Sequence, residues 1–238
     1  MTNSLCEKMG TTMGIWYNNK MKRIIWDWNG TLLDDVHLCF DCINRLLISQ
    51  QMPPLKTLDE YRSVFGFPIK NYYQKLGFDF EKTSYASLAK CYMDDYQNKS
   101  YACSLTQSAK STLKHAKELG YEQTILSASQ KEYLDAQIAQ YHIDGYINEV
   151  LGISNIYAHS KLDLAKEFVS SCSTEDEIWF IGDSIHDFEV AQSVKAHCIL
   201  VTSGHQSKKR LESCGVPVLE TTEECLEYIH ARDRDYQE

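Results

Sequence analysis

The sequence predicts an α/β protein, a doubly wound parallel sheet with an α-helical domain inserted after its first strand. Three observations carry this. Apolar, strand-like runs at 23–27, 123–127, 178–182 and 197–201 alternate with stretches of helical periodicity, which is the pattern of a parallel sheet covered on both faces. The gap between the first two runs is several times longer than a simple crossover requires. That gap holds apolar and aromatic residues enough for a small bundle, among them Leu46, Leu47, Tyr61, Phe65, Tyr72, Tyr73, Leu88 and Tyr96. Residues 39–103 are therefore assigned to a helical domain and residues 21–38 and 104–238 to the sheet domain. Residues 1–20 are polar, contain Gly10 and Gly14, and are read as an N-terminal extension ahead of Met21.

Each element has a local reason. The first strand, Arg-Ile-Ile-Trp-Asp, runs to Asp27 and turns at Gly30 and Thr31. Val36, Phe40, Ile43 and Leu47 then repeat at helical spacing, with Asp34 expected at the helix start. Ser108 to Leu119 reads as a helix closed by Gly120. Gln123 to Ser127 is a strand ending on a hydroxyl. Ser160 and Asp163 have capping-box spacing at the head of a helix through Val169. Ile178 to Gly182 is a buried strand that delivers Asp183 and, four residues later, Asp187. After the strand at 197–201, Gly204-His205-Gln206-Ser207 lies on the same mouth of the sheet and reads as a turn before Lys208-Lys209-Arg210. The charged tail beyond Arg232 is expected to fray.

Composition bounds the function. With 238 residues and 43% hydrophobic content, the chain can bury a sizeable core. A net charge of −9 argues against nucleic acid as a partner. No stretch approaches the roughly 18 apolar residues of a membrane span. Nine cysteines, an odd number without a secretory signal, point to free thiols and a reducing, cytoplasmic setting. Cys39 and Cys42 form a C-x-x-C within a helical run and lack a second ligand pair, so a helix face is preferred to zinc or redox chemistry.

Asp27 is where the chemistry is expected. An aspartate at the carboxyl end of a strand sits at the ligand-binding mouth of an open sheet, and its carboxylate can act as nucleophile or hard-metal ligand. A dianionic ligand can meet such a carboxylate only beside a cation, and Asp27 with Asp183 offers the oxygens a hard divalent ion prefers. Lys161 adds a fixed positive charge. Ser127 and the backbone N–H of Ala128 can donate to phosphoryl oxygens at a helix start. Asp187 is expected to orient Lys161 or a metal-bound water.

These residues carry a resemblance. Asp27-Trp28-Asn29-Gly30-Thr31-Leu32-Leu33-Asp34 closely resembles the first motif of the haloacid dehalogenase (HAD) phosphohydrolases, D-x-D-G-T-L-x-D, with Asn29 where most members have the second Asp. Ser127 ends a run similar to motif two, Lys161 in Ala-His-Ser-Lys falls where motif three needs its lysine, and Gly182-Asp183 with Asp187 resembles the acidic motif four. The insert, with Glu60 to Pro68, looks most like the phosphoglycolate phosphatase group. The resemblance implies a HAD-like, Rossmann-type core under a helical cap. It further implies a Mg²⁺ cofactor held by Asp27, the Asn29 backbone carbonyl and Asp183, with a small phosphorylated metabolite as substrate. In the cap, Arg62 is the residue expected to meet an anionic substrate. C–P hydrolases of this kind need a Schiff-base lysine, for which Lys56, Lys70 and Lys75 are available.

Asn29 changes the expected mechanism. The family's second Asp protonates the leaving group and later activates water, and an amide does neither. Asp34, Asp35 and His37 lie close enough in sequence to be weighed as substitutes, and His186 lies between two of the acids. The alternatives are C–P hydrolysis, phosphoryl transfer, or a silent protein that binds a phosphometabolite.

Overall fold

The computed structural model describes residues 20–153 and 160–235. In chain order its elements are β1 (Lys22–Trp26), β2 (Leu33–Asp34), α1 (Val36–Ser49), α2 (Leu58–Val64), α3 (Ile69–Leu76), α4 (Tyr85–Ser100), β3 (Ser104–Leu105), α5 (Ala109–Glu118), β4 (Glu122–Gln130), α6 (Lys131–Tyr141), β5 (Glu149–Ile153), α7 (Lys161–Ser171), β6 (Glu177–Gly182), α8 (Ile185–Ser193), β7 (His197–Val201), α9 (Lys208–Glu212), β8 (Val218–Leu219) and α10 (Thr222–Asp235). Residues 1–19, most of the expected extension, lie outside the described residues, as do Ala158 and His159 ahead of Lys161.

Six strands form one parallel sheet in the order β5-β4-β1-β6-β7-β8, the doubly wound architecture read from the sequence. Alternation along the strands sorts side chains onto two faces. Ile24, Trp26, Ile125, Trp179 and Ile181 pack with residues of α5, α6 and α10, while Ile25, Leu126, Phe180 and Leu200 pack with α7, α8 and α9. Burial on both faces is why these strands read as continuous apolar runs. The chain winds outward from β1 through β4 to β5, then crosses back to β6 beside β1 and winds outward the other way through β7 and β8, so the carboxyl ends of β1 and β6 flank the topological switch point where ligands bind.

Helices α1 to α4 share a separate apolar cluster that includes Val36, Ile43, Leu47, Tyr61, Tyr72, Tyr73, Leu88 and Tyr96. Its two connections to the sheet domain are paired. Leu33 and Asp34 of β2 run antiparallel to Leu105 and Ser104 of β3, and the Thr106 N–H donates to the Leu32 carbonyl.

Four local expectations are corrected. Asp34 is exposed and belongs to β2, and the residue capping α1 is the buried Asp35. β4 continues to Gln130, with a register irregularity between Leu126 and Gln130, so Ser127 lies in an irregular strand end and not at a helix start. The 204–207 segment is no ordinary surface turn, because Gly204, His205 and Gln206 are all buried. The tail stays helical to Asp235, anchored by the buried Asp233, which accepts from Tyr121 and pairs with Lys22 at 2.7 Å.

Candidate active site

The carboxyl ends of β1 and β6 lie side by side, with the Asp27 N–H donating to the Ile181 carbonyl at 2.8 Å. Asp27 and Asp183 therefore emerge together, both buried. Lys161, the first residue of α7, is held there because Ser160 and Asp163 form the capping box expected from their spacing. A second capping box, Ser184 with Asp187, starts α8. Asp187 spends one oxygen on that box, accepting from the Ser184 hydroxyl at 2.7 Å and from the Ser184 N–H at 3.0 Å. Its other oxygen accepts from Lys161 Nζ at 2.6 Å, and Lys161 also donates to Asp27.

Three buried carboxylates thus face one ammonium. Their oxygens lie within 4.8 Å of one another. Burial pushes Asp27 up to about 8 against the pull of Lys161, and burial likewise lifts Asp183 to about 6. Lys161 stays cationic, because Asp187 and Asp27 outweigh its desolvation. The excess of negative charge and the all-oxygen donor set fit a hard divalent cation. Since the Asp187 oxygens are committed to Lys161 and its capping box, Asp27 and Asp183 are the carboxylates that would hold it.

Around Asp35 a second network closes the loop after β1. Asp35 accepts from Asn29 Nδ2 at 2.8 Å, from the Tyr96 hydroxyl at 2.7 Å and from the Gly30 N–H at 3.0 Å. The Asn29 Oδ1 in turn accepts from the Ser129 hydroxyl at 3.0 Å. His205 Nε2 lies 3.2 Å from Asp35 Oδ1, its Nδ1 lies 2.9 Å from the Tyr61 hydroxyl, and its backbone N–H donates to Asp183 Oδ2 at 2.5 Å. Burial opposes charge on the imidazole, yet Asp35, with Asp183 and Asp27, lifts His205 to about 9. Asp35 is lowered despite its burial, by His205 and by the donors of Tyr96 and Asn29. The close approach needs glycine: a Cβ at Gly204 or Gly30 would collide with the Asp183 carboxylate, and Gly30 has φ +75°.

Asp35, Cys39 and His205 also group closely enough to hold a metal. Their electrostatics oppose it. Burial pushes the Cys39 thiol well up, so it remains protonated, and the imidazole is already a cation paired with Asp35.

Asp27, Asn29, Ser127, Ala128, Lys161, Asp183 and Asp187 all line one cavity of about 250 Å³ between the sheet mouth and the helical segment. The Ser127 hydroxyl accepts from the Ser129 N–H at 3.0 Å. Arg62 does not line the cavity. Its guanidinium donates to the carbonyls of Gly204 at 2.9 Å and Ser203 at 3.3 Å, tying α2 to the loop after β7. Asp34 and His37 are exposed and outside the lining, whereas Asp35, His186 and His205 are within it. The weight of His205, Tyr61 and Tyr96 was missed in the sequence. The one signal for His205 was its position after a strand on the sheet's ligand-binding side.

A profile of the haloacid dehalogenase-like hydrolases matches residues 24–201. Among solved structures, the fold resembles a predicted phosphatase from Clostridium acetobutylicum with a TM-score of 0.74 at 19% identity, covering 89% of this chain and 99% of that one. It resembles a haloacid dehalogenase-like family hydrolase from Streptococcus pneumoniae with a TM-score of 0.74 at 17% identity, over 88% and 98% of the two chains. A predicted phosphoglycolate phosphatase from Haemophilus somnus 129pt gives a TM-score of 0.66 at 17% identity, again over 88% and 98%. No curated protein matches the chain significantly. At such identities the structural neighbours establish the fold and leave the substrate to the site itself. The profile match runs from within β1 to the end of β7 and so takes in both acidic loops and Lys161, and on that ground the chain belongs to the haloacid dehalogenase-like hydrolases.

Proposed function

We propose that the protein is a Mg²⁺-dependent phosphohydrolase that acts on a small phosphorylated metabolite through an aspartyl-phosphate on Asp27. The observation that carries this reading is the convergence of Asp27, Asp183 and a doubly bonded Lys161 at one end of a single cavity. Mg²⁺ held by Asp27, Asp183 and the Asn29 backbone carbonyl would offset the repulsion between a carboxylate and a dianionic phosphoryl group.

The remaining steps belong to the chain. Asp27 attacks phosphorus and the bond to the leaving oxygen breaks. Lys161 holds positive charge beside the transferring group, with Asp187 fixing its position. Ser127 and the Ala128 N–H are the proposed donors to phosphoryl oxygens. Asn29 has no proton to give, so the leaving oxygen takes its proton from water. A second water attacks the aspartyl-phosphate at phosphorus, releasing inorganic phosphate and restoring Asp27. Loss of general acid and base help costs ~10²–10⁴ in rate, which favours good leaving groups or a long-lived phospho-enzyme. Helices α1 to α4 serve as the cap that excludes bulk water.

C–P hydrolysis through a Schiff base gains no support, because Lys161 is the only lysine lining the cavity among the described residues; Lys56, Lys70 and Lys75 are not there. A silent binding protein would have no use for the Asp27 nucleophile.

The test is intact-protein mass spectrometry of fresh enzyme with Mg²⁺ and acyl, aryl and sugar phosphates, free phosphate being measured in parallel. Phosphate release that vanishes in Asp27→Asn supports the reading. A stable phosphoryl adduct with little release favours a stalled or transferase-like enzyme, and neither signal favours the binding protein.

A further inference from the structure

Beyond its acids the cavity surface is mostly apolar, with Asn29, Gln97, Ser127, Ser129 and Gln130 among its neutral polar groups. Phe65, Phe67, Tyr92, Met93, Tyr96 and Tyr133 from the helical segment and α6 line the same cavity as Asp27. Two tyrosine hydroxyls are already engaged, Tyr96 donating to Asp35 and Tyr133 accepting from Gln137 at 3.2 Å. What these residues offer a ligand is mainly ring surface, together with the Tyr133 O–H, which accepts from Gln137 and keeps its proton to donate. Phe67 and Met93 are 41% and 40% exposed, yet both line the cavity. Phe67 stacks on His186 at 4.8 Å between ring centroids, joining the helical segment to α8 across the opening. Exposed apolar residues concentrated at a cavity mouth mark a binding surface.

Apart from His205, which is paired with Asp35, the described lining holds a single basic side chain of permanent charge. Among the described residues Lys161 is the only lysine in the lining and no arginine lines it. Basic side chains of the surrounding elements are engaged with protein groups; Lys131, next to the lining residue Gln130, pairs with Asp135. Arg62 is bonded to the carbonyls of Gly204 and Ser203, Arg210 to those of Arg62 and Phe65, and Arg45 to Asp95. His205 is paired with Asp35. A carboxylate or second phosphate on the leaving group would be stripped of water against aromatic rings with no counter-charge, a costly exchange.

Size gives the third constraint. An apolar cavity of about 150 Å³ accepts a benzene ring, so about 250 Å³ suits one ring together with its phosphoryl group.

We infer that the substrate is the phosphate monoester of an apolar, single-ring alcohol or phenol with no second anionic group. The inference rests on the phosphohydrolase reading and narrows it: the aromatic wall holds the leaving group, and 2-phosphoglycolate is a poor substrate in spite of the family resemblance.

Two measurements separate this inference from the reading beneath it. Calorimetry with the turnover-blocked Asp27→Asn variant in Mg²⁺ compares benzyl phosphate, ethyl phosphate and 2-phosphoglycolate. All three are esters of unactivated alcohols, so leaving-group acidity does not set their order. Benzyl phosphate is expected to bind ~10–100-fold more tightly than the other two, the effect of burying one phenyl group. Equal or tighter binding of 2-phosphoglycolate or ethyl phosphate overturns the inference. Phosphate release by the unmodified enzyme is measured with the same esters and an aryl phosphate. If benzyl phosphate binds best and no ester is hydrolysed, the phosphohydrolase reading fails, and with it the inference that the bound ester is a substrate. Phe67→Arg and, separately, Met93→Lys place a cation at the exposed mouth. Either is expected to move the preference for benzyl phosphate over 2-phosphoglycolate at least ~10-fold toward the carboxylate ligand, and an unchanged preference in both counts against the assignment of this wall.

Discussion

Asn29 donates through Nδ2 to Asp35 Oδ2 at 2.8 Å, which fixes the amide the only way round that an acceptor-only carboxylate permits. The Ser129 hydroxyl holds the other end at Oδ1. Asn29 and Asp35 are therefore matched, since a carboxylate at position 29 would stand directly against a second one.

That match predicts the outcome of restoring the acid. In Asn29→Asp the two carboxyl groups would share a proton, as close carboxylate pairs do, and a protonated carboxyl would then be present near neutral pH. Phosphate release from an unactivated alkyl phosphate should rise by roughly 10²-fold or more, while release from an aryl or acyl phosphate changes little. Equal changes for both kinds of ester, measured as kcat, would show that position 29 does not serve the leaving group.

Lys161→Met leaves Asp27 and Asp187 buried without their shared counter-charge. Removing one partner of a buried pair costs about 3–5 kcal/mol, so urea unfolding should show a loss of that order together with loss of turnover. Unchanged stability would mean that the acids protonate without penalty.

Mg²⁺ should stabilise the folded chain, because the acids it would neutralise are gathered only on folding. At a hundred times its Kd the ion adds about 2.7 kcal/mol, a rise in Tm of roughly 5–10 °C for a chain of this size. Asp183→Asn should abolish the shift in a thermal scan; a shift that survives would move the ion elsewhere.

Asp176 gives a pH signature outside the site. It accepts from Arg23 Nε at 2.8 Å, from the Met21 N–H at 3.1 Å and from the Ser173 N–H at 3.2 Å. Burial works against the carboxylate, but these donors hold its folded pKa below the ordinary value. A depressed pKa contributes stability that is present above the unfolded value near 3.9 and lost as pH falls below it. Asp176→Asn should therefore cost about 1 kcal/mol at pH 7, and the difference from the parent should shrink toward pH 3. A constant difference in denaturant midpoint across that range would refute the assignment.

How legible each part was depends on how local its cause is. β1 and β6 were plain because strands buried on both faces read as apolar runs, and Asp27 and Asp183 were plain because each follows such a run. Lys161 was placed by its resemblance to the family's third motif, and the helix it opens by the capping pair Ser160 and Asp163, an interaction over three residues. β5 was not seen, since Glu149-Val150-Leu151-Gly152-Ile153 is an edge strand with mostly half-buried side chains, and β8 has only two residues.

Arg62 and His205 went astray for another reason. Arg62 is an ordinary surface residue until α2 packs beside the loop after β7, and His205 is an ordinary turn residue until that loop folds back onto Asp183 and Asp35. The sequence by itself determined the sheet and the presence of a helical insert, because backbone periodicity and capping act over a few residues, and motif resemblance marked the four acidic and basic residues at the sheet's mouth. Only the tertiary structure decided that Asn29 answers Asp35, that His205 is buried against Asp35 and that aromatic rings line the cavity Asp27 shares. Those facts depend on which side chains lose water together: residues 29, 35 and 205 meet only when the loops after β1 and β7 fold against each other, and Tyr96 joins them only when α4 packs beside those loops.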